Sequence, residues 1–373
     1  MTANAQTLVD ALKAAGRLRN PLYEHAFLSV PRHVFLPEVS HEAAYADEAV
    51  PIKVDSSGYT VSSSSQPSMM LLMFEQMGLD AGMNVLEIGT GTGYNAAVMS
   101  TIVGTRGRVT TLELDSDIAR HAEQNLHRAG FGHVVVVATD GAQGYAPRAT
   151  YDRILCTASV WDVPDAWIRQ LKPGGRIVTP IQLDGIQVSA AFKLDANGYL
   201  VTDSLLPTRF VYLRGALGVP PMTRRVGSTD LRLIGERTHN IDTVKLHMIL
   251  SDDQDRCQLS QPISDDDFWA RFIPYALLNQ PDDADVCVFH IDEKQKAYGI
   301  PGGYGLAVVM PGSASFAQYG DKGNVFCFGG SDAFLVIENL LQAWLAAGSP
   351  GLNDCQITVL PDEALTTKDI EPT

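Results

Sequence analysis

The residue types and spacing with the clearest chemical meaning are Glu87-Ile88-Gly89-Thr90-Gly91-Thr92-Gly93, followed downstream by a second acid, Glu113. An apolar run ends at Ile88 and an alanine-rich segment begins at Tyr94, an order that reads as strand, tight loop and helix. Glycine permits the turn and lets a ligand approach the backbone where a Cβ would collide. The helix start adds unpaired N–H donors and positive potential. Glu113, ending the next strand, is positioned to accept hydrogen bonds from a ribose diol. Thr90, Tyr94 and Leu114 flank these positions and complete the loop's candidate cofactor set. The dinucleotide fingerprint G-x-G-x-x-G needs glycine at 94, where this chain has Tyr94. Glu87, two residues ahead of the first glycine, suits a cationic nucleoside cofactor, S-adenosylmethionine, better than a pyrophosphate. A nicotinamide or flavin cofactor, or a packing loop without ligand, are the competing readings.

Asp140-Gly141 follows the next expected strand. At the carboxyl edge of a parallel sheet an aspartate can accept from an adenine amino group, although Asp-Gly taken alone is a turn. Ser62-Ser63-Ser64-Ser65 runs into Gln66-Pro67 and a helix. Hydroxyls and free N–H groups there could orient an anionic acceptor; a flexible polar loop is the bland alternative. No Ser/His/Asp triad and no catalytic carboxylate pair follow from spacing. A carboxylate acceptor needs none, because it is nucleophilic at neutral pH and alignment alone can supply roughly 7–11 kcal/mol.

The elements that must hold these groups follow from periodicity. Residues 5–28 read as helical, with Leu8, Val9, Leu12 and Ala15 on one face and Gly16 as a stop. The prolines of Val30–Pro37 predict an extended or turning segment. Pro67 precedes an apolar helix over Met69–Met77, closed by Gly78. Strands are expected at Asn84–Ile88, Arg108–Leu114, His133–Val137, Asp152–Thr157 and Arg176–Pro180. Helices over Tyr94–Ile102, Ser116–Ala129 and Pro164–Leu171 alternate with them. This is the α/β pattern of a doubly wound, mostly parallel, Rossmann-like sheet. A hairpin around Ala196-Asn197-Gly198 joins Gln187–Leu194 to Tyr199–Thr202, so the sheet ends in antiparallel strands.

Beyond Pro220 that regularity is lost. Asp242–Leu250 alternates weakly, Asp266–Leu278 looks helical, and Val286–Ile291, Leu306–Met310, Asn324–Phe328 and Gln356–Leu360 look like strands. Asp332–Ala347 is an amphipathic helix with Ser331 as its cap and Gly348 and Pro350 at its end. The tail after Pro361 is expected to fray. Three stretches result: an N-terminal helical and substrate-groove segment (1–80), a cofactor-binding core (81–214) and a C-terminal α+β extension (215–373).

The 373 residues carry a formal charge of -15, which argues against a nucleic-acid binder working through phosphate neutralisation. Residues 215–373 hold 22 Asp and Glu against 11 Lys and Arg, so most of that charge belongs to the extension. The five cysteines form no CxxC pair and the nine histidines no HExxH motif, so reduced thiols and no metal site are expected. Met1–Asp10 lacks a signal-peptide pattern, and no apolar run approaches the ~20 residues of a membrane helix. A soluble, cytoplasmic protein without a membrane partner is the expectation.

Several segments, in order, resemble protein-L-isoaspartate O-methyltransferases. They are Val30-Pro31-Arg32-His33-Val34-Phe35, Ala44-Tyr45-x-Asp47, Ser65-Gln66-Pro67, Val85 to Tyr94 with Ala96-Ala97, Asp140-Gly141, Tyr151-Asp152, Gln170 to Gly175, and Arg209-Phe210-Val211-x-Leu213. The resemblance implies that Glu87, Gly89, Gly91, Gly93, Glu113, Asp140 and Gly141 hold S-adenosylmethionine, with S-adenosylhomocysteine as product. It implies a serine beside the transferred methyl, Ser65 by its distance from Pro67, or Ser62 or Ser64 within the enlarged serine run. Ala44, Tyr45, Asp47, Gln66, Pro67 and Val211 would shape the peptide groove. The implied acceptor is an aspartyl or isoaspartyl carboxylate, its ester collapsing to a succinimide. The extension is similar to that of methyltransferases tailoring ribosomally made peptides of the lanthipeptide and graspetide type, which implies a precursor-peptide substrate. General repair of isoaspartyl proteins is the alternative, and a cofactor-binding module without turnover is the reading from another class.

Overall fold

The computed structural model describes residues 3–360 except 57, 219–221, 253 and 322. Two helices open the chain where one was expected. Helix α1 (Ala5–Ala14) ends before Gly16, whose φ is +68°; α2 (Pro21–Ser29) starts afresh under the Asn20 side chain, with Pro21 in its first turn. The proline-flanked stretch holds one helical turn, α3 (Arg32–Phe35), and another, α4 (His41–Ala44), follows. The serine run is extended: β1 (Val50–Val54) pairs antiparallel with β2 (Thr60–Ser64), after which α5 (Pro67–Met77) ends at left-handed Gly78.

The core is then laid down in alternation: β3 (Asn84–Ile88), α6 (Tyr94–Val103), β4 (Arg108–Glu113), α7 (Ser116–Arg128), β5 (Val135–Ala138), β6 (Tyr151–Cys156), α8 (Asp165–Arg169) and β7 (Leu171–Leu183). These five strands pair parallel in the order β7-β6-β3-β4-β5. The winding reverses between β3 and β6, so their carboxyl ends flank the crevice where such sheets bind ligands. At Asp184-Gly185, with φ of +35° and +91°, the chain folds back into β8 (Ile186–Leu194), and β9 (Leu200–Thr208) continues antiparallel. The expected Rossmann-like sheet with antiparallel terminal strands is present.

A second sheet follows. Its elements are β10 (Thr223–Arg225), β11 (Arg232–Ile234), α9 (Thr243–Leu250), β12 (Gln254–Gln258), α10 (Asp265–Asp267), α11 (Ile273–Leu278), β13 (Asp285–Ala297), β14 (Ile300–Met310), β15 (Ser313–Gln318), β16 (Asn324–Gly329) and α12 (Asp332–Ala346). Seven strands pair antiparallel in the order β10-β11-β13-β14-β15-β16-β12. The weak alternation over Asp242–Leu250 belongs to a helix, capped by Asp242, whose side chain accepts from the amides of Val244 and Lys245. Its period-two appearance comes from Val244 and Met248, which are exposed, interleaved with buried Leu246 and Leu250. The helical stretch before Leu278 is broken by a π turn over Phe268–Phe272, next to Pro274, which has no N–H to give the ladder. Ser331 makes no side-chain cap; Ser313 Oγ accepts from the Ala333 amide instead.

The last described strand, β17 (Thr358–Val359), joins the first sheet by pairing antiparallel with β9. The expected fraying after Pro361 lies outside the described residues. One hydrophobic cluster runs from Ile154 and Val188 in the first sheet to Val286, Leu306 and Trp344 in the second part. A second cluster packs the N-terminal helices on the parallel sheet, and a third lies on the far face of the antiparallel sheet. The five cysteines are unpaired, and among the described residues no helix is long and apolar enough to cross a membrane.

Candidate functional site

The carboxyl ends of β3, β4 and β6 open into a cleft of roughly 550 Å³, counted to its mouth, which reaches Gly141 beyond β5. Its floor is backbone and short side chains. Gly89 (φ +97°) lies so close to Thr157 that a Cβ would stand 2.5 Å from that hydroxyl, and a Cβ on Gly141 would meet Ile88 at 2.4 Å. The loop is held by the Gly89 and Thr90 amides donating to the Leu112 carbonyl and by the Thr157 hydroxyl donating to the Gly89 carbonyl at 2.8 Å. Glycine is therefore required for the loop's own geometry as much as for a ligand's approach.

Two carboxylates sit at different depths. Glu87 is fully buried under the loop, accepting from Asn95 Nδ2 and Thr111 Oγ1, both at 2.6 Å. Burial, opposed by those hydrogen bonds, pushes its carboxyl up to about 7. Glu113 lines the cleft, accepts from the Gly91 amide at 3.0 Å and is likewise raised by burial, with the Gly91 bond working against the shift. A carboxylate at the carboxyl end of β4, already drawing a loop amide, fits the diol of a nucleoside.

Two walls close over this floor. The β1–β2 hairpin supplies Val61, Ser62 and Ser63, and the segment after β9 supplies Val211 to Arg214. That segment is bound to the sheet through Ser159, whose amide donates to the Val211 carbonyl while its carbonyl accepts from the Leu213 amide. Asp115, just past Glu113, takes Lys53 from the hairpin and Arg214 from the other wall, each at 2.8 Å. The Arg214 and Lys53 contacts hold its carboxyl below the usual range. Asp140 accepts from Ala142 N at 2.9 Å and from Ala216 N at 2.7 Å, so the chain leaving the cleft is anchored there as well.

Apart from Asp140, which is taken up by the Ala142 and Ala216 amides and is not among the cleft's lining residues, the predicted residues separate into three groups. Gly89, Gly91, Glu113, Leu114, Gly141, Ser62 and Val211 line the cleft. Glu87, Thr90, Gly93 and Tyr94 lie beneath or behind the loop; Thr90 Oγ1 bonds Thr111 Oγ1, and the Tyr94 ring packs against Phe27, Phe35 and Arg32. Ala44, Tyr45, Asp47, Ser64, Ser65, Gln66 and Pro67 form a support to one side. There Asp47 Oδ1 accepts from Ser68 N at the start of α5, Gln66 Nε2 donates to the Asp47 carbonyl, and Tyr45 OH meets His33 Nδ1 at 2.8 Å. Buried Arg32 ties this support together through the carbonyls of Ala46, Glu48 and Ser65. Thr157, Ala158, Tyr212 and Arg214 line the cleft without having been singled out from sequence, and Ser63 and Leu213 were marked only as parts of longer segments. Only the Arg209-Phe210-Val211-x-Leu213 segment hinted at that wall.

With the geometry in place, similarity to known proteins can be read against it. Residues 3–217 match the family described as protein-L-isoaspartate(D-aspartate) O-methyltransferase. The protein-L-isoaspartate O-methyltransferase of Thermotoga maritima is 43% identical over 194 residues, covering 52% of this chain and 61% of that one. That of Ignicoccus hospitalis is 38% identical over 214 residues, covering 57% of this chain and 98% of its own. A solved protein-L-isoaspartate O-methyltransferase aligns over 96% of this chain and 97% of its own, at 28% identity and a TM-score of 0.56, so the extension too has a structural counterpart. A Plasmodium falciparum structure in complex with S-adenosyl-L-homocysteine shares the fold over 57% of this chain, at 22% identity and a TM-score of 0.50. The chain belongs to the protein-L-isoaspartate(D-aspartate) O-methyltransferase family, carboxyl O-methyltransferases that use S-adenosylmethionine.

Proposed function

We propose that this chain methylates the carboxylate of an isoaspartyl or aspartyl residue in a polypeptide. The observation that carries the reading is the junction, in one cleft, of the Glu113-floored glycine cradle with Ser62 and Ser63 of the β1–β2 hairpin. S-adenosylmethionine supplies an electrophilic methyl group when bound. Glu113 would hold its ribose, Asp140 and Gly141 its adenine end, and Gly89 and Gly91 would let it lie against the backbone. Glu87, deep under the loop, fixes Asn95 and Thr111 and so the loop's shape. The chain's remaining work is on the acceptor: Ser62 and Ser63 orient a carboxylate that needs no base, while Val211 to Arg214 exclude water. Such positioning is worth roughly 7–11 kcal/mol. In the product ester, the following residue's backbone nitrogen attacks the acyl carbon, methanol leaves, and a succinimide forms.

A narrower version limits the acceptor to an aspartate of a ribosomally made precursor peptide, with 215–373 recognising it. The extension supports that version only as an added surface, since the solved relative aligned over 96% of this chain spans it too. Incubation with S-adenosylmethionine and either a plain isoaspartyl peptide or a cyclised aspartyl precursor tests both, read by mass. Gain of one CH2 on the plain peptide, then net loss of water relative to the aspartyl form, is the expected result. Turnover of the precursor alone would replace repair with tailoring, and turnover of neither would overturn the proposal.

A further inference from the structure

A row of polar and aromatic side chains crosses the antiparallel sheet. Arg232 on β11 is in register with His290 on β13, which is in register with Tyr304 on β14. Tyr319 follows β15, stacking on Tyr304 at 5.0 Å with an 18° interplanar angle, and Trp269 meets Tyr304 edge-on at 4.8 Å. Alternation puts this row on the face that carries Ile234, Val288 and Leu306 into the shared hydrophobic cluster. It is the polar end of an otherwise apolar face.

One end of the row reaches the hairpin that walls the cleft, and its middle lies under the charge of Arg209 at the approach to the other wall. The Arg232 guanidinium lies 5.3 Å from the ring centroid of Tyr59, which is 53% exposed at the turn of the β1–β2 hairpin. At the other wall Arg209 is exposed two residues before the cleft lining begins at Val211. Its charge bears on Tyr212, His290 and Tyr304 at once. Burial first, and Arg209 and Arg232 second, hold His290 below the usual imidazole range, against the pull of Asp292 and Glu293. Asp265, Asp292 and Glu293 are also near, yet among the described residues none forms an ion pair with Arg209 or Arg232. Arg232 lies in a stretch, residues 215–373, that holds 22 acids and 11 bases, and Arg209 stands just ahead of it, so two guanidinium groups without an ion pair flank a half-buried aromatic shelf.

We infer that Arg232, His290, Tyr304 and Tyr319, with Arg209, form a docking shelf for the acceptor polypeptide, selecting one with acidic residues beside the methylated position. This rests on the acceptor reading above. Aromatic faces hold an extended chain at low entropic cost, and the two arginines supply fork-shaped donors for carboxylates. Through Tyr59 and Arg209 the shelf adjoins the two segments that wall the cleft, so a chain whose acceptor carboxylate enters the cleft can lay its flank across it.

The test measures KM and kcat for isoaspartyl peptides identical except for acidic, neutral or basic flanks. The expected result is a KM about tenfold lower for the acidic flank, as one desolvated charge pair would give. Arg209→Gln with Arg232→Gln should raise that KM to the neutral-flank value, and Arg232→Glu should turn the preference towards basic flanks. Cofactor affinity by calorimetry reports that the variants are folded. Turnover with a flank-independent KM, or a preference that survives in the double variant, overturns the shelf while leaving the acceptor reading intact. Turnover of no peptide, with cofactor still bound, overturns both.

Discussion

Before residue 218, charge goes inside. Arg32 and Glu87 are fully buried and Glu113 is 6% exposed, with Asn95 and Asn125 enclosed among them. After it, the buried polar side chains among the described residues are three hydroxyls, Thr238, Ser313 and Ser315. The two parts nonetheless share one hydrophobic cluster. Burying an ionised group costs several kcal/mol and persists where hydrogen bonds or function offset it. The first part accepts that cost around the cleft; the second leaves its charges on the surface, where they can meet a partner. Chemistry and recognition are thus divided by where charge is placed, not by a break in the core.

The sharpest way to break this contrast is pH. Glu87 is raised from 4.5 to about 7, so between those values the folded chain keeps a proton that the unfolded chain has lost. Stability must then fall as pH rises through that window, by about 3 kcal/mol from this one group. Glu87→Gln should flatten the slope, seen as similar urea midpoints at pH 5 and pH 8; an unchanged slope would mean that Glu87 is not the titrating group. Next, Glu113→Ala should weaken S-adenosylhomocysteine binding by about thirtyfold, the loss of a charged hydrogen bond. Equal affinity by calorimetry would remove Glu113 from the cofactor's contacts.

Smaller effects separate the walls from the floor. Ser62→Ala with Ser63→Ala should lower kcat by about tenfold with cofactor affinity kept, as expected for lost acceptor alignment. Ser65→Ala, outside the cleft lining, should do less; the reverse ranking would return the reactive-side role to Ser65. Smallest is Asp115→Asn, which frees Lys53 and Arg214. Part-exposed ion pairs are weak, so cofactor release measured by stopped flow should quicken by only about threefold. No change would show that the walls close without this pairing.

How far the sequence revealed all this depends on the range of each interaction. The glycine loop, Glu113 and the alternating core were legible because their signals are local: a turn that only glycine fits, and apolar runs bounded by breakers. Ser62–Ser64 was not legible as a strand, since serine favours no sheet and β2 exists by pairing with a partner that contains Pro51. Thr157 was not legible for the same reason: its place in the cleft is set by chain segments far apart in sequence. Val244 and Met248 misled because exposed apolar residues mimic a buried pattern. The Asp184-Gly185 turn is a local hairpin signal between two apolar runs, and it joins β7 to β8.

The short strand β17 has a consequence for anyone who would trim the extension. Thr358 and Val359 pair with Val201 and Leu200, while Ile357 exchanges hydrogen bonds with Thr202. Without them β9 would present an unpaired row of amides and carbonyls at the sheet's rim, a template for joining a neighbouring molecule. The last described strand is a seal as well as an appendage. A chain cut after 214 keeps the motifs of the cleft and gains an adhesive margin.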